Sequence, residues 1–426
     1  MPKSDPADLR SIIERTLARR KRSRYLVPLS EPTFGVDEIL EALDSLTSGQ
    51  VTYGPKVKAF ESAFARYCGC AGAVLTNSGS SANLLALMAV LDPESSRRNH
   101  HRRTGKVLVP AVSWSTSVFP ILDAGLTPVF IDIDLATLNA DVSTFETGID
   151  EDVIGMVPVH LLGNPAPMPS IMKLAEEHDL FVIEDACEAH GATIHDRRVG
   201  SWGDCSTFSF YFSHHITTIE GGMIVSDDDE LLDLARILRS HGLARDSKHL
   251  QRHTAMYPRI DPRFLFVNRG YNLRPTEIQG AFGIHQLKKL EDFIETRRQN
   301  ALALRKRLEP FSDWLLFQDE LASHRNVYLA FSVVLKEDAP FDRGDLTGGL
   351  ERAGVETRPI VGGNLAEQPA FKHLPHETAG RLPNSRLVMR NGFYFGIHQG
   401  VGAKQLDHIG AVFEDFFRHQ GLPIRS

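Results

Sequence analysis

Cysteine is scarce: the 426 residues contain four, Cys68, Cys70, Cys187 and Cys205. So few cannot frame a chain this long with disulfides, and Cys68-Gly69-Cys70 lacks a second ligand pair at zinc-site spacing, so free buried thiols are expected and no metal site. Long apolar runs are also missing. Nothing approaches the ~18 apolar residues of a membrane span, and the opening MPKSDPADLRSIIERTLARRKRSRY has no apolar core of a secretory signal. A soluble, cytoplasmic protein with no membrane partner is expected. Positive charge is not in excess, with 47 Lys and Arg against 54 Asp and Glu for a net −7, which argues against a nucleic-acid partner. The one basic cluster, Arg19 to Arg24, reads as a solvated helix face or a subunit contact. Internal repeats and low-complexity linkers are absent as well.

What is present is an α/β alternation. Apolar, β-branched runs at 107–110, 128–133, 155–162, 180–186, 205–212 and 222–226 are separated by helical stretches such as SSANLLALMAVL, SIMKLAEEHD and ELLDLARILRSHG. Continuous apolar strands covered by helices imply a mostly parallel sheet buried on both faces. The length exceeds the ~250 to 300 residues at which a single core stops growing. An N-terminal helical arm (1–30), with Leu9, Ile12, Ile13 and Leu17 on one side, should precede a large domain (31–288) and a smaller C-terminal α+β domain (289–426). A long helical pattern after Pro275 either bridges the two or breaks once. The stretch from Arg245 to Asn268 reads as a long polar loop.

Three segments carry candidate chemistry. In TNSGSSANLLAL, Gly79 and Ser80 open a helix directly after a strand, which suits either simple capping or phosphate binding at a helix N-terminus. In FVIEDACEAHGA, Asp185 ends an apolar strand with Glu188 three residues on. A carboxylate there is either a helix cap or the partner of a protonated pyridine nitrogen. In TFSFYFSHHITTIEGGMIV, His214 and His215 occupy a polar turn before Gly221-Gly222. Adjacent histidines are poor co-ligands, so this turn does not read as a metal site.

The order of these pieces resembles the DegT-type sugar aminotransferases and their dehydratase relatives, of the aspartate-aminotransferase fold. The resemblance runs through VTYGPKVKAFESAFARYCG (51–69), NSGSSAN (77–83), PAVSWSTS (110–117), LLGNP (161–165), EDACEAHGA (184–192), GYNLRPTEIQGA (270–281) and RPIVGGN (358–364). Aminotransferases of this family carry, in the turn, a lysine bonded covalently to pyridoxal phosphate. Here that position is His214, and the nearest lysines, Lys173 and Lys248, lie outside the turn. An imidazole cannot form that bond, so the cofactor must be held noncovalently.

Histidine in this setting resembles the 3-dehydratase branch, which implies pyridoxal or pyridoxamine phosphate as cofactor. It also implies a nucleotide-linked 4-keto-6-deoxy sugar as substrate, L-glutamate as amino donor and a 3-deoxy-4-keto sugar as product. A second histidine-bearing branch adds a [2Fe–2S] cluster and a reductase, drawing cysteines from the segment after the turn. Arg239 to Arg269 contains none, so a cluster-free enzyme is expected.

Residue by residue, the family implies Gly79, Ser80 and Ser209 at the cofactor phosphate, Asp185 at its pyridine nitrogen, Trp114 stacked on its ring and Glu188 near its hydroxyl edge. It implies His214 as the base, and Asn272 reaching the cofactor of a second subunit, so that a homodimer completes each site. Arg245, Arg358 and His398 are further candidates for the sugar nucleotide. An aminotransferase that tolerates histidine, or a non-catalytic cofactor-binding sensor, stays open from residues alone.

Overall fold

Strands of continuous apolar residues, buried on both faces, build most of one eight-stranded sheet in the computed structural model, which describes residues 6–20, 23–95 and 104–425. In spatial order these are Gly72–Thr76, Gly222–Ser226, Cys205–Ser209, Phe181–Asp185, Val153–Met156, Lys106–Pro110, Thr127–Ile131 and Glu377–Thr378. Only Gly222–Ser226 runs antiparallel to its neighbours. Successive side chains of a strand point to opposite faces, and the core divides accordingly. Leu108, Ile131, Val182, Met223 and Val225 pack on one side, and Val107, Val109, Phe130, Ile183 and Ile224 on the other. This is the aspartate-aminotransferase-like architecture with a smaller C-terminal unit.

The helices that matter most to function start where strands end. Gly79–Val90 is apolar on every side and lies against the strands Cys205–Ser209 and Gly222–Ser226, so its capped N-terminal turn is the part that opens outward. Ser78 caps it by accepting from the Ser81 N–H at 3.1 Å. The Asp229–Arg239 helix packs on it and is capped by Asp228, which accepts from Glu230 and Leu231 at 2.9 and 3.0 Å. Behind the sheet edge, Phe64 meets Phe208 and Phe210 edge-on at 5.0 and 5.2 Å, stiffening the strand that leads into the histidine turn.

The helical pattern after Pro275 breaks once, into Glu277–Leu287 and Leu290–Leu308. Beyond it, Leu315–Phe317, Phe331–Leu335, Gly392–Phe395 and Thr357–Pro359 form a four-stranded antiparallel sheet, covered by helices Arg343–Arg352 and Ala403–His419. The C-terminal part also returns to the large sheet, because Glu377–Thr378 pairs in parallel with Val129–Phe130.

Several expectations change in detail. The apolar stripe of the arm is mostly outward: on the Pro6–Ala18 helix Ile13 is buried, while Leu9 and Ile12 are 38% and 51% exposed. Within the basic cluster, Arg20 lies over the Phe34 ring and Arg24 over Tyr25; Lys21 and Arg22 lie outside the described residues. The polar stretch after Arg245 is not a plain loop, since it holds the helix Leu250–Met256 and a 3₁₀ turn at Pro262–Phe264. All four cysteines are free; Cys68 and Cys205 are buried and Cys70 and Cys187 partly so. Among the described residues, no helix is long and apolar enough to cross a membrane.

Candidate active site

The turn after Cys205–Ser209 is fixed by its own sequence. Phe210 N–H donates to Gly221 and Thr218 N–H to Phe210, which closes the turn, and the Thr217 hydroxyl adds a bond to the Phe210 carbonyl at 3.0 Å. The two histidines diverge, as alternating side chains should. His215 is fully buried and its Nε2 donates to the Val327 carbonyl at 3.0 Å. His214 is half-buried, with Nδ1 3.0 Å from the Ser209 carbonyl oxygen. A carbonyl only accepts, so Nδ1 carries the proton and Nε2 keeps its lone pair in the neutral ring. Burial pushes the His214 imidazole below the ordinary histidine value, opposed by the Ser209 bond and the Asp185 charge and reinforced by Arg297.

Asp185 ends the Phe181–Asp185 strand, buried, with three donors. Asn83 Nδ2 and the Ser117 hydroxyl reach Oδ2 at 3.1 and 2.7 Å, and the Cys187 N–H reaches Oδ1 at 3.1 Å. Asn83 is held in turn by the Thr207 hydroxyl. The same asparagine donates to the Thr116 carbonyl at 3.2 Å, and the Ser80 hydroxyl lies 3.2 Å from that of Thr116. The helix N-terminus, the 114–117 segment and the strand-end carboxylate are therefore one network. Trp114, at the head of that segment, is 59% exposed, an uncommon state for so large an apolar ring.

Gly79 and Ser209 meet closely. A Cβ at position 79 would stand 2.5 Å from the Ser209 Cβ and 2.8 Å from its Oγ, and one at Gly222 would collide with the Ser78 carbonyl. Backbone N–H groups, the hydroxyls of Ser80 and Ser209 and a positive helix end thus share one small, crowded turn. Glu188 accepts the Leu162 N–H at 2.7 Å. Burial pushes its carboxyl up to about 7, with the charge of Asp185 adding to the rise.

Together these residues fit a phosphorylated pyridine cofactor. Donors suited to a phosphate lie at one end, a buried and anchored carboxylate suited to a cationic ring nitrogen at the other, and an exposed indole belongs to the segment that links them. No lysine stands in the turn. Among the described residues no group of three or more His, Cys, Asp or Glu side chains could hold a metal ion.

The remaining candidates lie elsewhere. Arg245 and Asn272 share a separate cleft of about 390 Å³ with Thr52, Tyr53 and Arg274. There the Asn272 side-chain oxygen accepts from Arg274 at 3.2 and 3.3 Å. Arg358 is exposed, faces Tyr394 across paired strands, and has Glu356 at 3.4 Å. His398 departs from the expectation of a sugar contact. It is buried, donates from Nε2 to the Pro28 carbonyl at 3.0 Å and accepts the Gly400 N–H on Nδ1 at 3.2 Å, leaving no ring nitrogen for a ligand. Its job is to tie the end of the arm to the C-terminal unit.

Residues not singled out from sequence also belong here: Asn83, Ser117 and Thr207 around Asp185, and Tyr394. Burial pushes the Tyr394 phenol up to about 12, with the charge of Glu188 adding and that of Arg358 opposing. The position of Asn83 inside NSGSSAN was a usable signal; nothing local marks Tyr394.

Residues 32–414 match the DegT/DnrJ/EryC1/StrS aminotransferase family, and the chain belongs to it. It is 38% identical over 386 residues to GDP-4-keto-6-deoxy-D-mannose 3-dehydratase of Yersinia pseudotuberculosis, covering 90% of this chain and 96% of the relative. Among solved structures it superposes with a TM-score of 0.84 at 34% identity on the E. coli GDP-4-keto-6-deoxy-D-mannose-3-dehydratase with bound hydrated pyridoxal phosphate, covering 92% and 100% of the two chains. A histidine-to-asparagine variant of a GDP-4-keto-6-deoxymannose-3-dehydratase with bound GDP-perosamine gives a TM-score of 0.84 at 35% identity, covering 91% and 99%.

Proposed function

We propose that this enzyme removes the C3 hydroxyl of a GDP-linked 4-keto-6-deoxy sugar, with pyridoxal or pyridoxamine phosphate as cofactor and L-glutamate as amino donor. The products are a 3-deoxy-4-keto sugar, ammonia and 2-oxoglutarate. The observation that carries this reading is His214, in the turn where a lysine would bind the cofactor covalently, its Nδ1 locked to Ser209 and its Nε2 free to take a proton. When bound, the cofactor would supply an amine for the sugar ketone and a ring that takes up the electron pair left by proton removal and gives it up as the C3–oxygen bond breaks.

The chain's residues do the rest. The first turn of the Gly79–Val90 helix, with Ser80 and Ser209, holds the phosphate by N–H and hydroxyl donors. Asp185, kept in place by Asn83 and Ser117, stands at the ring nitrogen and holds its proton. Trp114 covers one ring face. Glu188 stands at the ring's hydroxyl edge. His214 Nε2 removes a proton beside the cofactor as the sugar hydroxyl departs. Residues of the 31–288 segment supply this set, and we assign the C-terminal 289–426 segment to closing the site, with Arg358 toward the substrate.

We further propose a homodimer with shared sites. Its support is the separation of Asn272 and Arg245 from the His214 group, together with exposed Tyr257, Ile260, Phe264 and Phe266 on the intervening segment. Each Asn272 cleft then completes the site of the other subunit.

The test is product analysis after incubation with GDP-4-keto-6-deoxy-D-mannose, glutamate and cofactor. A 3-deoxy sugar with stoichiometric ammonia is expected. An amino sugar would identify an aminotransferase, and no turnover with retained cofactor a sensor. A panel of CDP- and dTDP-linked sugars settles the nucleotide. Mass measurement in solution, and mixed dimers of His214→Asn with Asn272→Ala chains, test the shared site.

A further inference from the structure

Arg297 carries a positive charge into the core, and no carboxylate among the described residues pairs with it. It sits on the Leu290–Leu308 helix, 2% exposed, and among the described residues only main-chain carbonyls receive its bonds: Nη1 donates to Leu329 at 2.7 Å and to Tyr328 at 3.3 Å. Its Nε has no partner. The other fully buried arginine, Arg239, is paired with Glu61 at 2.8 Å. An unpaired buried charge is costly, so stability alone is a poor reason for Arg297.

The carbonyls it grips belong to a segment tied to the active site at two points, one of them relayed onward through Leu162. Val327 accepts from His215, the neighbour of His214, at 3.0 Å. Leu329 N–H donates to the Leu162 carbonyl at 2.8 Å. The Leu162 N–H in turn serves Glu188. Tyr328, at φ +46°, is held in a backbone conformation unusual for a bulky residue. The charge therefore stands directly behind the histidine turn.

We propose that Arg297 is a positioning residue for the proton transfer: its guanidinium disfavours a second positive charge on the histidines of the turn, and its Nη1, shared by the Leu329 and Tyr328 carbonyls, fixes the segment on which His215 hangs. Protonating either imidazole would place a second positive charge beside the first in a poorly screened interior. The groups facing His214 are Asp185 from the strand end, His190 from the segment after it, Arg297 from the helix, and Tyr211 and His215 from its own turn. Asp185 is the only carboxylate among these, and it favours the imidazolium; Arg297 opposes it. This inference rests on His214 as the proton-moving group.

The experiment separates charge from hydrogen bonding. In cofactor-loaded protein with ¹³C-labelled histidine, the His214 signal, assigned by its loss in His214→Asn, is titrated in the parent, Arg297→Gln and Arg297→Lys. Gln keeps a donor for Leu329 without the charge; Lys keeps the charge without the planar guanidinium. Parent His214 should titrate below the ordinary histidine value. Gln should raise the His214 midpoint by about half a logarithmic unit, so that its protonated-to-neutral ratio at a fixed pH rises about three-fold, and move the acid limb of kcat upward with it, and Lys should restore both. A parent that titrates at or above the ordinary value overturns the proposal without any variant. So does a folded Gln variant with an unchanged midpoint. A midpoint that moves while the rate profile stays still upholds the role of Arg297 and overturns His214 as the proton-transferring group.

Discussion

The His214 side chain is bonded to the backbone of Ser209, Nδ1 to carbonyl oxygen at 3.0 Å, and the Ser209 side chain in turn leaves no room for anything but glycine at position 79. The proposed base and the turn proposed to hold the phosphate are thereby one mechanical unit. Whatever displaces Ser209 also removes the bond that keeps the proton of His214 on Nδ1.

His214→Lys tests the substitution that distinguishes this chain from aminotransferases. A lysine amine can attack the cofactor aldehyde, so a borohydride-reducible covalent bond with visible absorption should appear. Dehydration should fall by more than about a hundred-fold, within the range attributed to a positioned acid–base group. A trace of amino sugar is compatible with this. If the variant shows no reducible adduct and dehydrates as well as the parent, His214 is not beside the cofactor's reactive carbon.

Asp185→Asn should lose rate far more than stability. The amide cannot hold a proton on the ring nitrogen, so turnover should drop at least about ten-fold, equivalent to 1.4 kcal/mol of barrier. Ser117→Ala removes one of three donors to the same carboxylate and should give a smaller loss in the same direction. Near-normal rates in Asp185→Asn would leave Asp185 as a cap and nothing more.

The purified enzyme should contain no iron and need no reductase. No cysteine lies between Arg239 and Arg269, and an iron–sulfur cluster needs thiolates. Metal analysis with turnover in a reductase-free mixture checks this; stoichiometric iron and sulfide would refute it.

Local pattern carried the sheet and the first contacts of the site. Apolar β-branched runs marked the strands, whereas the carboxylate at a strand end and the glycine before a helix each left capping open, and only the order of the pieces along the chain pointed to a site. The supporting residues were harder to see. Asn83 and Ser117 meet Asp185 across 102 and 68 residues of sequence, and no local periodicity encodes such a meeting. His398 misled for the complementary reason: a histidine near the C-terminus looks available until the arm's Pro28 is found against it. Tyr328 takes its positive φ within the tertiary clamp around Arg297, which its own propensity does not foretell.

Glu188 should make stability fall as pH rises. Its folded value is about 7, above the unfolded value near ~4.3, so the folded state holds the extra proton between them. Its contribution is complete below the unfolded value and is lost as pH rises through the folded one. Glu188→Gln cannot ionise and should flatten that part of the profile. Melting temperatures of cofactor-free parent and variant should converge near pH 4 and separate by pH 8, with the glutamine variant higher. Parallel profiles would mean that the Leu162 N–H keeps Glu188 ionised throughout.

Gly79→Ala should weaken cofactor binding by about ten-fold or more, about 1.4 kcal/mol. The new methyl would stand 2.5 Å from the Ser209 Cβ, closer than packed carbons tolerate, so the helix turn or the strand end must shift. Because the clash is with one side chain, it has a specific remedy. Ser209→Gly in the Gly79→Ala background removes the Cβ and Oγ, leaving the backbone Cα at 3.2 Å. Melting temperature should therefore recover in the double variant. Cofactor affinity should recover less, since the Ser209 hydroxyl assigned to the phosphate is gone. The four proteins form a double-mutant cycle. Additive melting shifts would show that positions 79 and 209 do not meet; coupled melting with full recovery of affinity would show that they meet but that the hydroxyl does not hold the phosphate.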